Sequence, residues 1–483
     1  MADSHVFPDA PEGTRESEFV HLHVHSDYSL LDGASRLEAL VARAKELNMK
    51  ALALTDHGNM FGILNFERIC HANGINPIFG EEFYVAEGSR LERNVVPYTR
   101  NRKGASYYYH LILLAMNETG YRNLCWLSSL AYTEGMWYKP RIDWELLERY
   151  HDGLICLAGC IMGEVPKALL FGDEKRAYAT ARKYKDLFGK DRYYIELQDH
   201  GMEDQKAVAP KLIKLARDLD IPLVVTNDIH YCRQEDAEAQ DALLCIQTKK
   251  LLSDTNRLRF QGDQWYMKTE AEMRQIFPDC PEAVDNTLKI AGMCELEIPR
   301  HTPQEASDIF LPARQIINSF NPQGVSLKIL ENACRIVSFV TAKPRLLIEG
   351  VGRILGLPED DVAMLKDCIP DTSRTTLADA FSPADEGHPD GGHLIPYKDD
   401  PCYTDLFRLC FKLENVIFCS GFHESCMAMS QTLLPDWLPV FKDIKTGKIA
   451  VQYTVDEVER CGLAVFNALE IKPVRGGGAE RCT

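Results

Sequence analysis

What this sequence lacks narrows it first. No apolar run approaches the length of a membrane-spanning helix, and the polar stretch 1–18 has no apolar core of the kind a signal peptide needs. No membrane partner is expected, and the default compartment is cytoplasmic. Sixteen cysteines are many, yet none stands in a Cys-x-x-Cys pair. Reduced thiols are expected, not a disulfide framework. An excess of basic charge is missing too: the net charge is −17. That gives no support to a nonspecific DNA-coating role, although an acidic chain can hold nucleic acid in a local basic cleft. No internal repeat or low-complexity tract stands out. What remains is an ordinary globular composition, 45% hydrophobic and 26% charged, in a chain of 483 residues that has room for two or three domains.

The chain is organised around Phe19 to Gly33. His21, His23 and His25 alternate with apolar residues, so in a regular strand all three project from one face, and Asp32 follows within one loop. Imidazole and carboxylate together suit a transition metal, although an isolated His-x-His is more often the wet side of a surface strand. A helix follows, with Leu37, Leu40, Val41, Ala44 and Leu47 on one face and Ser35 and Glu38 spaced as a capping box. Short apolar strands are then predicted at 50–55, at 75–80 ending on Glu81-Glu82, and at 109–114, 153–157, 193–196 and 221–226. Helical segments lie between most of them; one carries Val208, Leu212, Leu215 and Leu219 at helical spacing. Strands alternating with helices over more than 200 residues predict a parallel sheet, and about seven such units favour closure into a barrel.

Metal-ligand residue types gather where these strands end. They are His23, His25, Asp32, His57, Glu82, His110, Cys160, Asp228 and His230, and barrel enzymes build their sites at that end. Cys156, inside an apolar strand, reads as core. Nine such side chains are too many for one tetrahedral ion, so two or three divalent ions are expected.

Several of these stretches carry a resemblance. His23 through Gly33, Leu54-Thr55-Asp56-His57-Gly58, Gly80 through Val85, Asn117 through Leu124, Leu157 through Glu164, Glu196 through Gly201 and Asn227 through Tyr231 resemble the alpha subunit of bacterial DNA polymerase III. They match its N-terminal polymerase and histidinol phosphatase (PHP) domain over roughly residues 18–300. The resemblance implies a seven-stranded, distorted TIM-like β/α barrel holding up to three ions, Zn²⁺ or Mn²⁺, on the nine residues named above, with His21 left out. In some relatives of this kind the set is eroded and the domain is structural; in others it accompanies metal-dependent 3′–5′ exonuclease activity. The intact set here favours phosphoester hydrolysis at a metal-activated water.

Past Pro299 the resemblance continues but is broken. Phe320 through Ser326 resembles the stretch preceding the family's paired catalytic aspartates, yet no aspartate occurs between Asp308 and Asp360. A Gly-rich, Arg-containing phosphate-contact segment is also missing, and Glu349 stands where the family usually has arginine. Only Gly421 and His423 persist of a Gly-x-His-Ala-Ala-Gly run, and Asn467 replaces the third aspartate. Mg²⁺ for polymerisation, expected of the family, therefore lacks its ligands. The expected organisation is a tail over 1–17, the barrel over 18–300, a polymerase remnant over 301–330 and an incomplete, truncated α+β palm/thumb-like region over 331–483. Expected partners are DNA, as a single-stranded 3′ end or primer-template, and other subunits of the polymerase III holoenzyme. Two alternatives stand beside this: a catalytically silent PHP module that binds DNA or a replisome partner, and a small-molecule phosphate monoester hydrolase. His388 and His393 in a Gly/Pro-rich stretch, and the run Arg100-Asn101-Arg102-Lys103, read as solvated loops.

Overall fold

A computed structural model describes residues 7, 15–97, 106–300, 333–370, 375–385, 391–430, 432–467 and 472–473. The first sheet comprises β1 (Ala51–Leu54), β2 (Asn76–Val85), β3 (Tyr109–Ala115), β4 (Arg141–Ile142), β5 (Leu154–Leu157), β6 (Tyr193–Leu197) and β7 (Leu223–Val225). Its order is β1-β2-β3-β5-β6-β7, with β4 paired to the end of β2. β1, β5, β6 and β7 carry only buried residues, as strands covered on both faces must. The sheet curls until segment 20–25 joins its edges. The His21 carbonyl accepts from Ala53 N and the Val24 carbonyl from Thr55 N on one side. On the other, His25 N donates to the Ile229 carbonyl and Ile229 N to the His23 carbonyl.

Three expectations are corrected. The sheet is mixed: β3 runs antiparallel to both β2 and β5. An apolar run records burial but carries no direction, so the reversal had no signal in the pattern. β2 does not end at Glu81-Glu82 but continues to Val85. The capping box is not formed either: helix Leu37–Glu46 starts after Arg36 without a side-chain cap. Ser35 instead accepts from the Cys232 thiol at 3.3 Å. The apolar face of that helix, Leu37, Leu40, Val41 and Ala44, is buried as expected.

The barrel interior is built in layers. Its floor is apolar: Val20, Leu22, Ala53, Ile78, Ile112, Leu114, Ile155, Leu157, Tyr194 and Val224 form one buried cluster, with Ile290 among them from helix Pro281–Met293. Side chains two apart on a strand share a face. Moving up two residues at a time therefore leads from Ile78 through Gly80 to Glu82, from Tyr194 to Glu196, and from Val224 to Thr226. On the reversed β3 it leads backwards, from Leu114 through Ile112 to His110. A polar storey thus sits on an apolar one.

A second sheet follows, of β8 (Ala333–Thr341), β9 (Ile417–Met429), β10 (Val440–Lys442), β11 (Ile449–Val451), β12 (Ala464–Asn467) and β13 (Lys472–Pro473), in the order β10-β11-β8-β9-β12-β13. Helices Pro344–Leu355 and Thr404–Leu413 share a core with helix Ala237–Thr248 from before the second sheet. Phe61 packs edge-on to Phe339 and Phe441 at 5.3 and 5.2 Å, so the two sheets meet on common aromatic residues. Gln452 spans the junction, accepting from Met60 N at 2.7 Å and donating to Ser128 Oγ at 2.8 Å. Tyr121 and Tyr453 join their hydroxyls at 2.9 Å.

Glu349, the acid at the expected arginine position, pairs with Lys366. His393 lies in an exposed turn. His388, Arg100–Lys103, the stretch 320–326 and nearly all of the expected tail and of the 301–330 remnant lie outside the described residues. The fifteen cysteines of the described residues are free thiols, and no helix among those residues is long and apolar enough to cross a membrane.

Candidate metal centre

The polar storey gathers eight of the nine candidate residues into three donor groups and places Asp32 beside one of them. His23 and His25 arrive there through a bend. The period-2 pattern would place His21 with them, but Val20 and Leu22 face the barrel interior while His21 packs on Phe19 and reaches the Lys268 carbonyl at 2.9 Å. The chain bends at His23, which shifts the alternation by one and turns His23 and His25 inward. The expectation of three histidines on one face is thereby overturned, and His21 is a core histidine bonded through Nε2 alone.

Asp32 closes the following loop. That loop folds back so tightly that a Cβ on Gly33 would lie 1.8 Å from the Ser26 carbonyl oxygen, so only glycine fits. Asp228 sits at a φ of 42°, a left-handed conformation that aspartate tolerates better than most residues. Gly159, at a φ of 81° against the His110 carbonyl, makes the turn that delivers Cys160. Two expected positions are corrected: Glu82 lies within β2, and His110 at the start of β3, because that strand is reversed.

Three donor groups result, two of which share His25. His23, His25 and Asp228 form one, His25, His57 and His230 a second, and Glu82, His110 and Cys160 a third. Asp32 stands beside the second, its Oδ1 3.4 Å from His57 Nε2. Glu82 links the groups, with Oε1 2.7 Å from His110 Nδ1 and Oε2 on His57 Nδ1.

Hydrogen bonds fix which ring nitrogen is free. Glu196 Oε1 lies 2.7 Å from His23 Nδ1, so that nitrogen donates and Nε2 is the one turned to the site. Ser29 Oγ gives its proton to Asp56 and therefore accepts from His25 Nδ1 at 3.0 Å. His230 Nδ1 donates to the Asp228 carbonyl at 2.8 Å. The Nε2 atoms of His23 and His25 then face each other at 3.1 Å, and both face Asp228 Oδ1 at 3.2 and 3.1 Å. Buried Asp228 Oδ1, Asp32 Oδ1 and His230 Nε2 have no hydrogen-bond partner. Acceptor atoms that converge at contact distance need positive charge among them, a shared proton or a metal cation. Burial opposes a proton on His23, but Asp228 and Glu196 raise that imidazole well above its ordinary value. The residues therefore fit divalent metal ions.

Protons compete for the same donors. Burial pulls His57 down, but Asp32 and Glu82 outweigh it and push its imidazole up to about 10. Burial, with His57 and His230 alongside, pushes His25 down to about 3. Burial also raises the Cys160 thiol, so coordination there must displace a proton. The carboxylate of Asp228 stays well below its usual range despite burial, because His23 and His25 face it.

Glu196, Ser29 and Asp56 were not singled out as functional from sequence. Their signal was present: a glutamate at an inward register of β6, and an aspartate directly before His57 at the end of an apolar strand.

Comparison with known proteins follows the same division of the chain. The PHP domain model matches residues 21–200, and the model described as bacterial DNA polymerase III alpha NTPase domain matches residues 330–469. The DNA polymerase III subunit alpha of Treponema pallidum is 39% identical, over 94% of this chain and 47% of its own length. That of Borreliella burgdorferi is 31% identical, over 94% and 48%. The chain thus spans about half the length of these relatives. The first alignment runs over 567 positions, more than this chain has residues, so the relative carries segments inside the matched span that have no counterpart here. Among solved structures, a two-domain Bacteroides vulgatus protein with a PHP-like metal-dependent phosphoesterase covers 47% of this chain and 56% of its own, at 16% identity and a TM-score of 0.26. That superposition is too loose to carry weight.

Proposed function

The chain belongs to the bacterial DNA polymerase III alpha-subunit family, and from that premise we propose that its barrel is a multinuclear metal-dependent phosphoesterase of the 3′–5′ exonuclease class. One observation carries the reading: Asp32 Oδ1, Asp228 Oδ1 and His230 Nε2 are buried without a partner, and the Nε2 atoms of His23 and His25 converge on Asp228 Oδ1. The nine residues would hold up to three ions, with imidazole and thiolate favouring Zn²⁺ and the carboxylates leaving room for Mn²⁺. Ions at such donors supply a deprotonated water and neutralise the charge that builds on phosphoryl oxygens.

The chain's own residues do the rest. Glu196 holds His23 in the tautomer that offers Nε2, and the Asp56–Ser29 pair does the same for His25. Glu82 offers one oxygen to each side and keeps two donor groups in register. The substrate is proposed to be the 3′ end of single-stranded DNA, with other holoenzyme subunits as partners. The palm-like region after residue 330 is proposed to be inactive in synthesis. In support, Asn467 occupies β12 opposite Cys426, where the family resemblance calls for a carboxylate.

Metal analysis of the purified full chain tests the reading, with one to three bound transition-metal ions expected. Single-stranded DNA should lose nucleotides from its 3′ end, and His25→Ala or Asp228→Ala should slow this about 100-fold or more. A chain that binds no transition metal overturns the enzyme reading. Cleavage of histidinol phosphate in place of DNA assigns a small-molecule hydrolase, and a metal-loaded chain that leaves both intact is an interaction module.

A further inference from the structure

The wall of the pocket beside His57 and His110 continues outward as aromatic rings that the metal chemistry does not use. Tyr84 stands edge-on to His110 at 5.3 Å and to Tyr108 at 4.6 Å, and Tyr108 stacks over His110 at 5.9 Å. Beyond them, Tyr107 stacks on Tyr138 at 4.7 Å with planes 13° apart, and Trp137 meets both rings at 6.2 and 5.0 Å. Cations lie over this surface: the Arg93 guanidinium 4.0 Å above Trp137 and the Lys139 ammonium 5.3 Å above Tyr84. The tight turn Trp137–Lys139 ties the outer rings to the inner ones, since its first two side chains join the outer group and its third reaches Tyr84.

Tyr138 is the telling member. The residue is 64% exposed, and its backbone sits at a φ of 62°, where a bulky L-residue is strained. A largely exposed aromatic ring held out by a strained turn buries little area for folding. Ring faces suit nucleobases and cations suit phosphates, and a polynucleotide strand is the ligand that repeats both along one path. In a chain of net charge −17, such a cationic and aromatic strip is a local exception.

We propose that Tyr107, Trp137, Tyr138, Arg93 and Lys139 form a stacking subsite for single-stranded polynucleotide, which seats the bases behind the terminal nucleotide while its phosphodiester enters the metal centre. The subsite rests on the phosphoesterase reading for its orientation toward the metals, but its binding can be measured without them.

The test uses the full-length chain in chelator, where no hydrolysis occurs. Binding of fluorescent oligo(dT), oligo(rU) and an abasic strand of the same length is followed by anisotropy. Base-containing strands are expected to bind at least about tenfold tighter than the abasic strand. Tyr138→Gly removes the ring while suiting the left-handed turn, and should weaken oligo(dT) about tenfold; Tyr138→Phe should restore it. A preference for oligo(dT) over oligo(rU), or the reverse, assigns the sugar without altering the subsite. Equal binding of the abasic strand, or unchanged affinity in Tyr138→Gly, overturns the stacking subsite. A chain that shows the base-dependent binding but never cleaves a phosphoester when metal-loaded keeps the subsite and loses the phosphoesterase reading.

Discussion

Residues outside the proposed ligand set orient the donors of the candidate metal centre. The buried carboxylate of Glu196 accepts from His23 Nδ1, Thr226 Oγ1 and Gln198 Nε2, so it is pinned from three sides and pins His23 in turn. Glu196→Ala should lower metal affinity about 10–100-fold, read by chelator competition, while the far-ultraviolet circular dichroism stays that of the parent. Unchanged affinity would show that the tautomer is set elsewhere. His200 gives a second prediction away from the ligands. It lies flat on Trp265 at 3.6 Å, accepts from Gln205 Nε2 and donates to the Asn227 carbonyl, and burial pushes it down to about 4. Between its unfolded value of 6.5 and 4 the unfolded chain binds more protons, so His200 contributes stability that is complete above pH 6.5 and lost as the pH falls toward 4. The parent should gain about 3 kcal/mol over His200→Gln between pH 4 and pH 7, in urea unfolding with chelator present. A difference that is flat with pH would refute the assignment.

The elements explain why these side chains converge. Two-residue steps along β2, β3 and β6 carry an apolar floor into a polar layer, and the reversal of β3 is what lets His110 enter from the start of a strand. The loop 26–33 is held by Asp56, which accepts from Ser26 N, Ser26 Oγ and Ser29 Oγ, and by the second sheet, where Ile417 N donates to Asp27 at 3.2 Å and Tyr28 packs on Phe339. The second sheet is therefore part of the wall behind loop 26–33. Phe61 is the hinge pin of that contact, nearly inaccessible between Phe339 and Phe441. Phe61→Ala should cost about 3–5 kcal/mol and lower the thermal midpoint of both sheets together in one calorimetric transition. Two separated transitions, with only the second displaced, would mean that the units fold independently.

For the molecule as a whole, the balance between its halves is the main point. The barrel keeps every donor that the family resemblance calls for, whereas the polymerase half has no aspartate between 308 and 360 and carries Asn467 further on. An amide cannot replace a metal-binding carboxylate's charge. Primer-extension assays with Mg²⁺ are expected to show no template-directed incorporation. Incorporation that disappears on mutating a palm carboxylate would overturn that expectation.

The nine candidate donors, the strand–helix alternation and the family resemblance were legible in the chain itself, because side-chain chemistry and apolar periodicity are local properties. The choice among neighbours was not. Only the fold separates Glu82, which faces His57 and His110, from Glu81, which lies buried on the other side of β2. Only the bend at His23 removes His21 from the histidine face. The direction of β3, the tautomers set by Glu196 and Ser29, and the aromatic strip across Tyr107 and Tyr138 likewise depend on which distant segments meet. Composition and spacing decide what chemistry a residue can do, and the register between strands decides which of them are in a position to do it.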